Sequence, residues 1–185
     1  NFKYNKMKRI LRLLAIFIFL FSLAQTEVYA QKKSRKMIKA DKAFDLEQYV
    51  KAAELYKKAY QKTKIKAVKA EIIFKQAECF RMSGNVKRAE SYYKRAIKAK
   101  YFDATMYLRY ADVLSMQGDY DNASLQYREY LEKCGITKEE SLKLANDDLK
   151  LKKYVRGEMG LRSCEFAIKW KDFPTRYKVE LMPLV

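Results

Sequence analysis

The chain has 185 residues, of which 49% are hydrophobic and 34% charged, and its formal net charge at pH 7 is +18. Its five glycines and two prolines are too few for the many turns of a β-sandwich or β-barrel. The absence of histidine excludes Ser–His and Cys–His nucleophile pairs, histidine-ligated zinc and imidazole acid–base catalysis. No Gly-rich phosphate-binding loop is present. We therefore expect a helical protein that is not an enzyme and that uses no cofactor.

The first 30 residues have the pattern of a secretory signal peptide. Met7 is the natural start, and a short basic region leads from it into the apolar run 13–24. Val28 and Ala30 stand at the small-residue positions before a cleavage site. The apolar run is shorter than the roughly 20 residues of a membrane-spanning helix. We predict export into the periplasm with cleavage after Ala30; an uncleaved membrane anchor is the alternative.

The mature chain is strongly basic. Residues 1–30 carry a net charge of +4, so the remaining residues carry +14 of the total of +18. Such a charge favours anionic partners such as nucleic acid, lipid or glycan. Because an exported protein rarely meets nucleic acid, we expect no nucleic-acid partner.

An internal repeat with a period of 34 residues follows. Small residues, glycines and tyrosines match across this shift, in the pairs Ala77/Ala111, Gly84/Gly118, Ala89/Ala123 and Tyr93/Tyr127. Small residues recur where two helices approach closely, and aromatic residues recur where a gap must be filled. The glycine recurs where a first helix ends in a left-handed cap. The repeat therefore predicts stacked helix pairs that share one core.

A third copy lies upstream, over 40–60. Ala52 precedes its counterpart Ala89 by 37 residues, so about three extra residues separate these copies, and Glu47 stands at the place of the turn glycine. The three degenerate repeats within 31–136 have approximate bounds of 33–66, 70–103 and 104–137.

This pattern resembles the tetratricopeptide repeat (TPR) family. The resemblance implies an all-α fold, a right-handed superhelix of antiparallel helix pairs. It also implies that a protein partner binds in the concave groove lined by the first helix of each pair.

The C-terminal part begins with the capping box "TKEE", 137–140, and we predict a capping helix over 137–155. The glycines of 156–160 are expected to loosen the chain before a short helix over 161–170. Alternation of Tyr177, Val179 and Leu181 predicts a strand. We expect 156–185 to hold a linker helix and the start of a truncated β domain; a disordered tail is the alternative.

The order of these segments resembles the N-terminal part of TPR/β-propeller/OmpA-like envelope proteins of Bacteroidota-type bacteria, the PorE-like group associated with type IX secretion. The resemblance lies in 160–176, where the residues to compare are Ser163, Cys164, Glu165, Trp170 and Pro174. It implies an envelope scaffold in an assembly associated with the outer membrane or with peptidoglycan.

Threading the chain on the TPR pattern places nine residues in the concave groove: Met37, Asp41, Phe44, Glu71, Phe74, Glu78, Arg81, Leu108 and Asp112. Four of them are acidic and one is basic, so we predict a basic or apolar partner segment. Phe44 and Phe74 would be its apolar anchors. In the alternative, the aromatic rings pack between repeats and the acids are solvated.

The basic excess then falls on the second helices, where it could tether the protein to anionic lipid or glycan. These residues are Lys51, Lys57, Lys58, Lys87, Arg88, Lys94, Arg95 and Lys98. A solvated basic face is the simpler interpretation.

The three cysteines include no metal-binding pair. Cys79 lies beside Ala77 and is expected to be buried. Cys134 and Cys164 either form a disulfide in an oxidising compartment or remain free thiols.

Overall fold

A computed structural model describes residues 34–145, 148–171 and 173. Within these residues the chain is all helical, without strands. The predicted signal peptide and the predicted C-terminal strand lie outside them. The eight helices of the described residues are α1 (Arg35–Asp45), α2 (Tyr49–Lys62), α3 (Lys66–Met82), α4 (Val86–Lys98), α5 (Thr105–Met116), α6 (Tyr120–Lys133), α7 (Lys138–Ser141) and α8 (Leu149–Trp170).

The first six helices pack in three antiparallel pairs, α1/α2, α3/α4 and α5/α6, as the repeat predicted. Alanines form the contact faces within and between pairs, and their side chains are completely or almost completely buried. Tyr56 and Tyr93 are fully buried in the gaps between helices. Alanine therefore sets a close interhelical distance, and the large tyrosine rings fill the space that remains.

The turns inside the pairs share one backbone conformation. Gly84 and Gly118 both have φ of 75°, and Glu47 has φ of 59° at the equivalent place in the first pair. The left-handed region suits glycine, whereas glutamate adopts it at a cost in free energy. In the second and third pairs the next residue caps the following helix: the side chains of Asn85 and Asp119 accept hydrogen bonds from backbone N–H groups of the first turn.

The predicted break at 156–160 is wrong, because α8 is one continuous helix of 22 residues. Its two glycines face the rings of α6. An added Cβ atom would lie 2.7 Å from the Tyr130 ring at Gly157 and 2.4 Å from the Tyr127 ring at Gly160. The glycines therefore permit close helix packing and do not interrupt the helix.

The helix α8 runs antiparallel to α6, because Gly157 lies at Tyr130 and Gly160 at Tyr127. It is thus placed like the first helix of a further pair. The capping box at Thr137 and Glu140 is confirmed, although the helix that it begins, α7, has only four residues.

Candidate partner-binding groove

One tyrosine–carboxylate hydrogen bond recurs in each helix pair. In the third pair the Tyr127 hydroxyl donates to Asp112 Oδ1 over 2.9 Å, and in the first pair Tyr56 donates to Asp41 Oδ1 over 2.5 Å. In the second pair Tyr93 donates to Glu78 Oε1. In every case the two residues are 15 positions apart. Three of the four acids predicted for partner binding thus join the two helices of their own pair.

These tyrosines stay protonated at physiological pH. Burial and the adjacent carboxylate raise the pKa of Tyr93 and Tyr127 far above the usual value near 10. Burial is also the main cause that raises the pKa of Tyr130 to about 12. A protonated hydroxyl is the donor that each acid requires.

Two of the acids also have cationic partners. Arg81 donates to both carboxylate oxygens of Glu78, from Nη2 over 2.8 Å and from Nε over 3.2 Å. Arg156 of α8 binds Asp112 Oδ2 over 2.7 Å. Arg109 Nη1 lies 3.8 Å from the same oxygen. The groove is therefore much less negative than the nine predicted residues indicated.

The apolar residues predicted for the groove are mainly core residues. Met37, Phe74 and Leu108 are at most 8% exposed. The Phe74 ring stacks on Tyr101 with centroids 4.6 Å apart. Phe44 is half-buried with its edge against Tyr49, and Lys75 Nζ lies 5.9 Å from the centre of its ring. The alternative interpretation, that these rings pack between repeats, describes them correctly.

Glu71 is half-buried on the second turn of α3, two helices away from α1, which carries Asp41. The structure therefore distributes the predicted groove residues along three first helices. It joins Glu78 directly to Arg81, and it places Asp112 beside α8.

A cleft of about 650 Å³ lies where α8 meets α5 and α6. Most of its wall comes from successive turns of α8, and the remainder comes from the third pair. The lining residues are Asp112, Tyr127, Leu151, Lys152, Val155, Arg156, Met159, Gly160 and Ser163. Among the predicted groove residues, only Asp112 belongs to this cleft.

The residues of α8 that line the cleft were missed by the sequence analysis, although a signal for them exists. Leu151, Val155 and Met159 follow one another at intervals of four residues, which places them on one face of a helix. This pattern is visible only when the helix is continued through Gly157 and Gly160. The predicted break at 156–160 concealed it.

The basic residues predicted for the second helices are all exposed. Lys94 pairs with Glu90 of its own helix over 2.6 Å. Tyr93 and Tyr127 are buried, so they are not available for stacking on a ligand. This face therefore presents cations without adjacent free tyrosine rings from the repeat positions.

Cys134 and Cys164 are free thiols and do not form the disulfide that was one of the two alternatives. Cys134 follows the C-terminal end of α6, whereas Cys164 lies beyond Gly160, near the other end of the α6–α8 contact. The Cys164 sulfur is 3.3 Å from the Ser115 hydroxyl oxygen. Cys79 is buried as predicted, and burial raises its pKa to about 12.

Within 34–145, 148–171 and 173, no group of three or more acidic or cysteine side chains is placed to hold a metal ion. No helix in the same part of the chain combines the length and apolar composition required to cross a membrane.

Comparison with solved structures identifies the fold. The TPR domain of Sgt2 from Aspergillus fumigatus matches with a TM-score of 0.59 and 14% identity, over 84% of this chain and 92% of that domain. PilF from Pseudomonas aeruginosa matches with a TM-score of 0.51 and 14% identity, over 78% of this chain and 64% of PilF. No protein-family model and no curated protein matches the sequence. At this identity the likeness concerns the fold alone: the helix pairs have the fold of a TPR domain.

Proposed function

We propose that the protein is a binding scaffold that holds a segment of a partner protein on the groove side of its helix pairs. The observation that carries this proposal is the cleft at α8, where Val155 and Met159 are 41% and 63% exposed beside the third pair. Large apolar side chains exposed along a cleft gain free energy when a partner covers them. The TPR fold is typical of protein-binding modules, which supports the same conclusion.

The proposed partner segment is apolar, as one half of the sequence prediction held. The other half, a basic segment, loses its electrostatic support at Glu78 and Asp112. Both acids already accept a tyrosine hydroxyl and an arginine guanidinium. A basic side chain from a partner would have to compete with these internal donors.

We also propose that the scaffold acts in the bacterial envelope, in the periplasm, as part of an assembly associated with the outer membrane or with peptidoglycan. The signal-peptide pattern of 1–30 and the resemblance over 160–176 support this location. The role is one of binding without catalysis.

Site-specific photo-crosslinking tests the binding face. A photoreactive amino acid is placed at Met159 in the cleft or at Lys57, an exposed position on α2. The full-length protein is expressed in its own cells and irradiated. We expect a discrete protein adduct from the Met159 position and none from the Lys57 position. Adducts from Lys57 alone would contradict binding in the cleft.

A second candidate function is a tether to anionic lipid or glycan. The exposed cations of the second helices favour it, and salt dependence distinguishes it from the scaffold. Binding to vesicles or to cell wall that moderate salt abolishes would support the tether, because surface charges interact weakly beyond about 8 Å at physiological ionic strength.

A further inference from the structure

We propose that the cleft at α8 selects a partner segment that combines apolar side chains with carboxylates. This inference rests on the proposed scaffold function and specifies the chemistry of the partner. It reverses the charge preference that the sequence indicated, because α8 brings its own cations to the groove.

The apolar part of the site is a row on α8. Leu151, Val155 and Met159 are one turn apart and line the same cleft. Leu151 is half-buried, and the two residues after it are exposed. Since 25 cal/mol of free energy is gained per Å² of apolar surface buried, roughly, covering this row favours leucine-like side chains on the partner.

The charged part of the site is a second row on the same helix. Lys152 and Arg156 are also one turn apart and line the cleft beside the apolar row. Lys152 has no ion pair or hydrogen bond among the residues that the structure describes. Arg156 uses Nη2 for Asp112, and its side chain is 54% exposed. Its guanidinium has further N–H donors for a carboxylate.

The one acid of the cleft offers little to a cationic ligand. Asp112 Oδ1 accepts the Tyr127 hydroxyl, and Oδ2 accepts Arg156. Its side chain is 18% exposed. With Lys152 and Arg156 against Asp112, the lining has a net charge of +1. Charge complementarity therefore favours an acidic segment over a basic one.

The size of the cleft favours a peptide segment as its occupant. About 650 Å³ accommodates a few side chains, within the range of ligand pockets. The two rows run parallel along α8, so a partner segment that lies along the helix can place apolar groups on one row and carboxylates on the other. A broad anionic surface would engage the cations but would leave Val155 and Met159 exposed.

The test uses the full chain and three synthetic peptides that share one pattern of leucines. Their charged positions hold Glu, Lys or Gln, and binding is measured by fluorescence polarisation at one fixed salt concentration. We expect the Glu peptide to bind most tightly. Lys152→Glu should weaken it about tenfold, since one attractive contact becomes repulsive, and Met159→Asp should weaken all three peptides. Lys57→Glu, with the same change in net charge at a distant exposed site, should leave affinity unchanged.

The outcomes separate this inference from the scaffold function. If the Lys peptide binds as tightly as the Glu peptide and Met159→Asp weakens both, the acidic preference is wrong and the cleft remains a binding site. If only Lys57→Glu weakens the Glu peptide, both proposals are wrong. If no peptide binds, the inference is wrong, and the crosslinking experiment decides about the scaffold. Circular dichroism of each variant verifies that it is folded.

Discussion

The second and third helix pairs follow one plan but complete it differently. Each has an acid on its first helix that accepts a tyrosine hydroxyl from its second helix. In the second pair the cation for Glu78 is Arg81, three residues away on the same helix. In the third pair Asp112 binds Arg156, which comes from α8. The inner pair thus satisfies its acid by itself, whereas the outer pair depends on the terminal helix that also forms the cleft.

The largest expected effect comes from separating α8 from the third pair. Gly160→Val should lower the free energy of unfolding by about 3 kcal/mol, because an added Cβ would lie 2.4 Å from the Tyr127 ring. Urea unfolding followed by Trp170, the single tryptophan, measures the loss. Hydrogen exchange should rise in α5, α6 and α8 more than in α3 and α4. Ser163→Val, at an exposed position one turn further along α8, is the control and should cost less than about 0.5 kcal/mol.

The tyrosine–carboxylate bond should be equally important in both pairs. Tyr93→Phe and Tyr127→Phe should each cost about 2 kcal/mol, because a partly buried carboxylate loses a hydrogen-bond donor. Urea titration at pH 7 measures both variants. An effect confined to one of them would show that the two pairs are not equivalent in this bond.

The same bond predicts a dependence on alkaline pH. The pKa of Tyr127 is raised in the folded protein by burial and by Asp112, so its contribution is fully present below the unfolded pKa, near 10. The contribution is lost as the pH rises from that value toward the folded pKa. Urea titrations between pH 9 and about 11 should therefore show falling stability, with a shallower slope for Tyr127→Phe. An unchanged slope in that variant would contradict the assignment.

The arginines should distinguish the two pairs. Arg81→Ala should cost about 1.5 kcal/mol, because Glu78 is only 12% exposed and loses two hydrogen bonds. Arg156→Ala should cost about 0.5 kcal/mol, since its side chain is 54% exposed and Asp112 keeps Tyr127 and Arg109. Thermal unfolding of the two variants tests this order. Equal losses would remove the contrast between a self-contained and a dependent pair.

The helix caps should show no contrast at all. Asn85 and Asp119 are 34 residues apart and cap α4 and α6 in the same way. Asn85→Ala and Asp119→Ala should each cost about 1 kcal/mol. Chemical denaturation measures both losses, and a difference above about 1 kcal/mol would indicate that the repeat positions are not equivalent.

The sequence predicted what a repeat makes visible. Gly84 and Gly118 marked the turns, and the tyrosines at the same period were correctly assigned to the core. The acids Glu78 and Asp112 recur at this period too, 15 residues before those tyrosines. This spacing was available from the sequence, but a carboxylate on a first helix was interpreted as a ligand for a partner.

The part that the sequence did not predict depends on contacts between distant residues. Glycines at 157 and 160 indicate a break when α8 is considered alone. Only the Tyr130 and Tyr127 rings, about thirty residues upstream, show why glycine is required there. The same error removed Lys152 and Arg156 from the predicted groove and left its charge negative.

Hydrogen exchange of the full chain, with and without the Glu peptide, tests the central claim most directly. Binding in the cleft predicts slower exchange in α5 and in the first half of α8, with α2 and α4 unchanged. Protection confined to α2 and α4, where the exposed cations lie, would contradict the claim and would place the binding surface on the second helices.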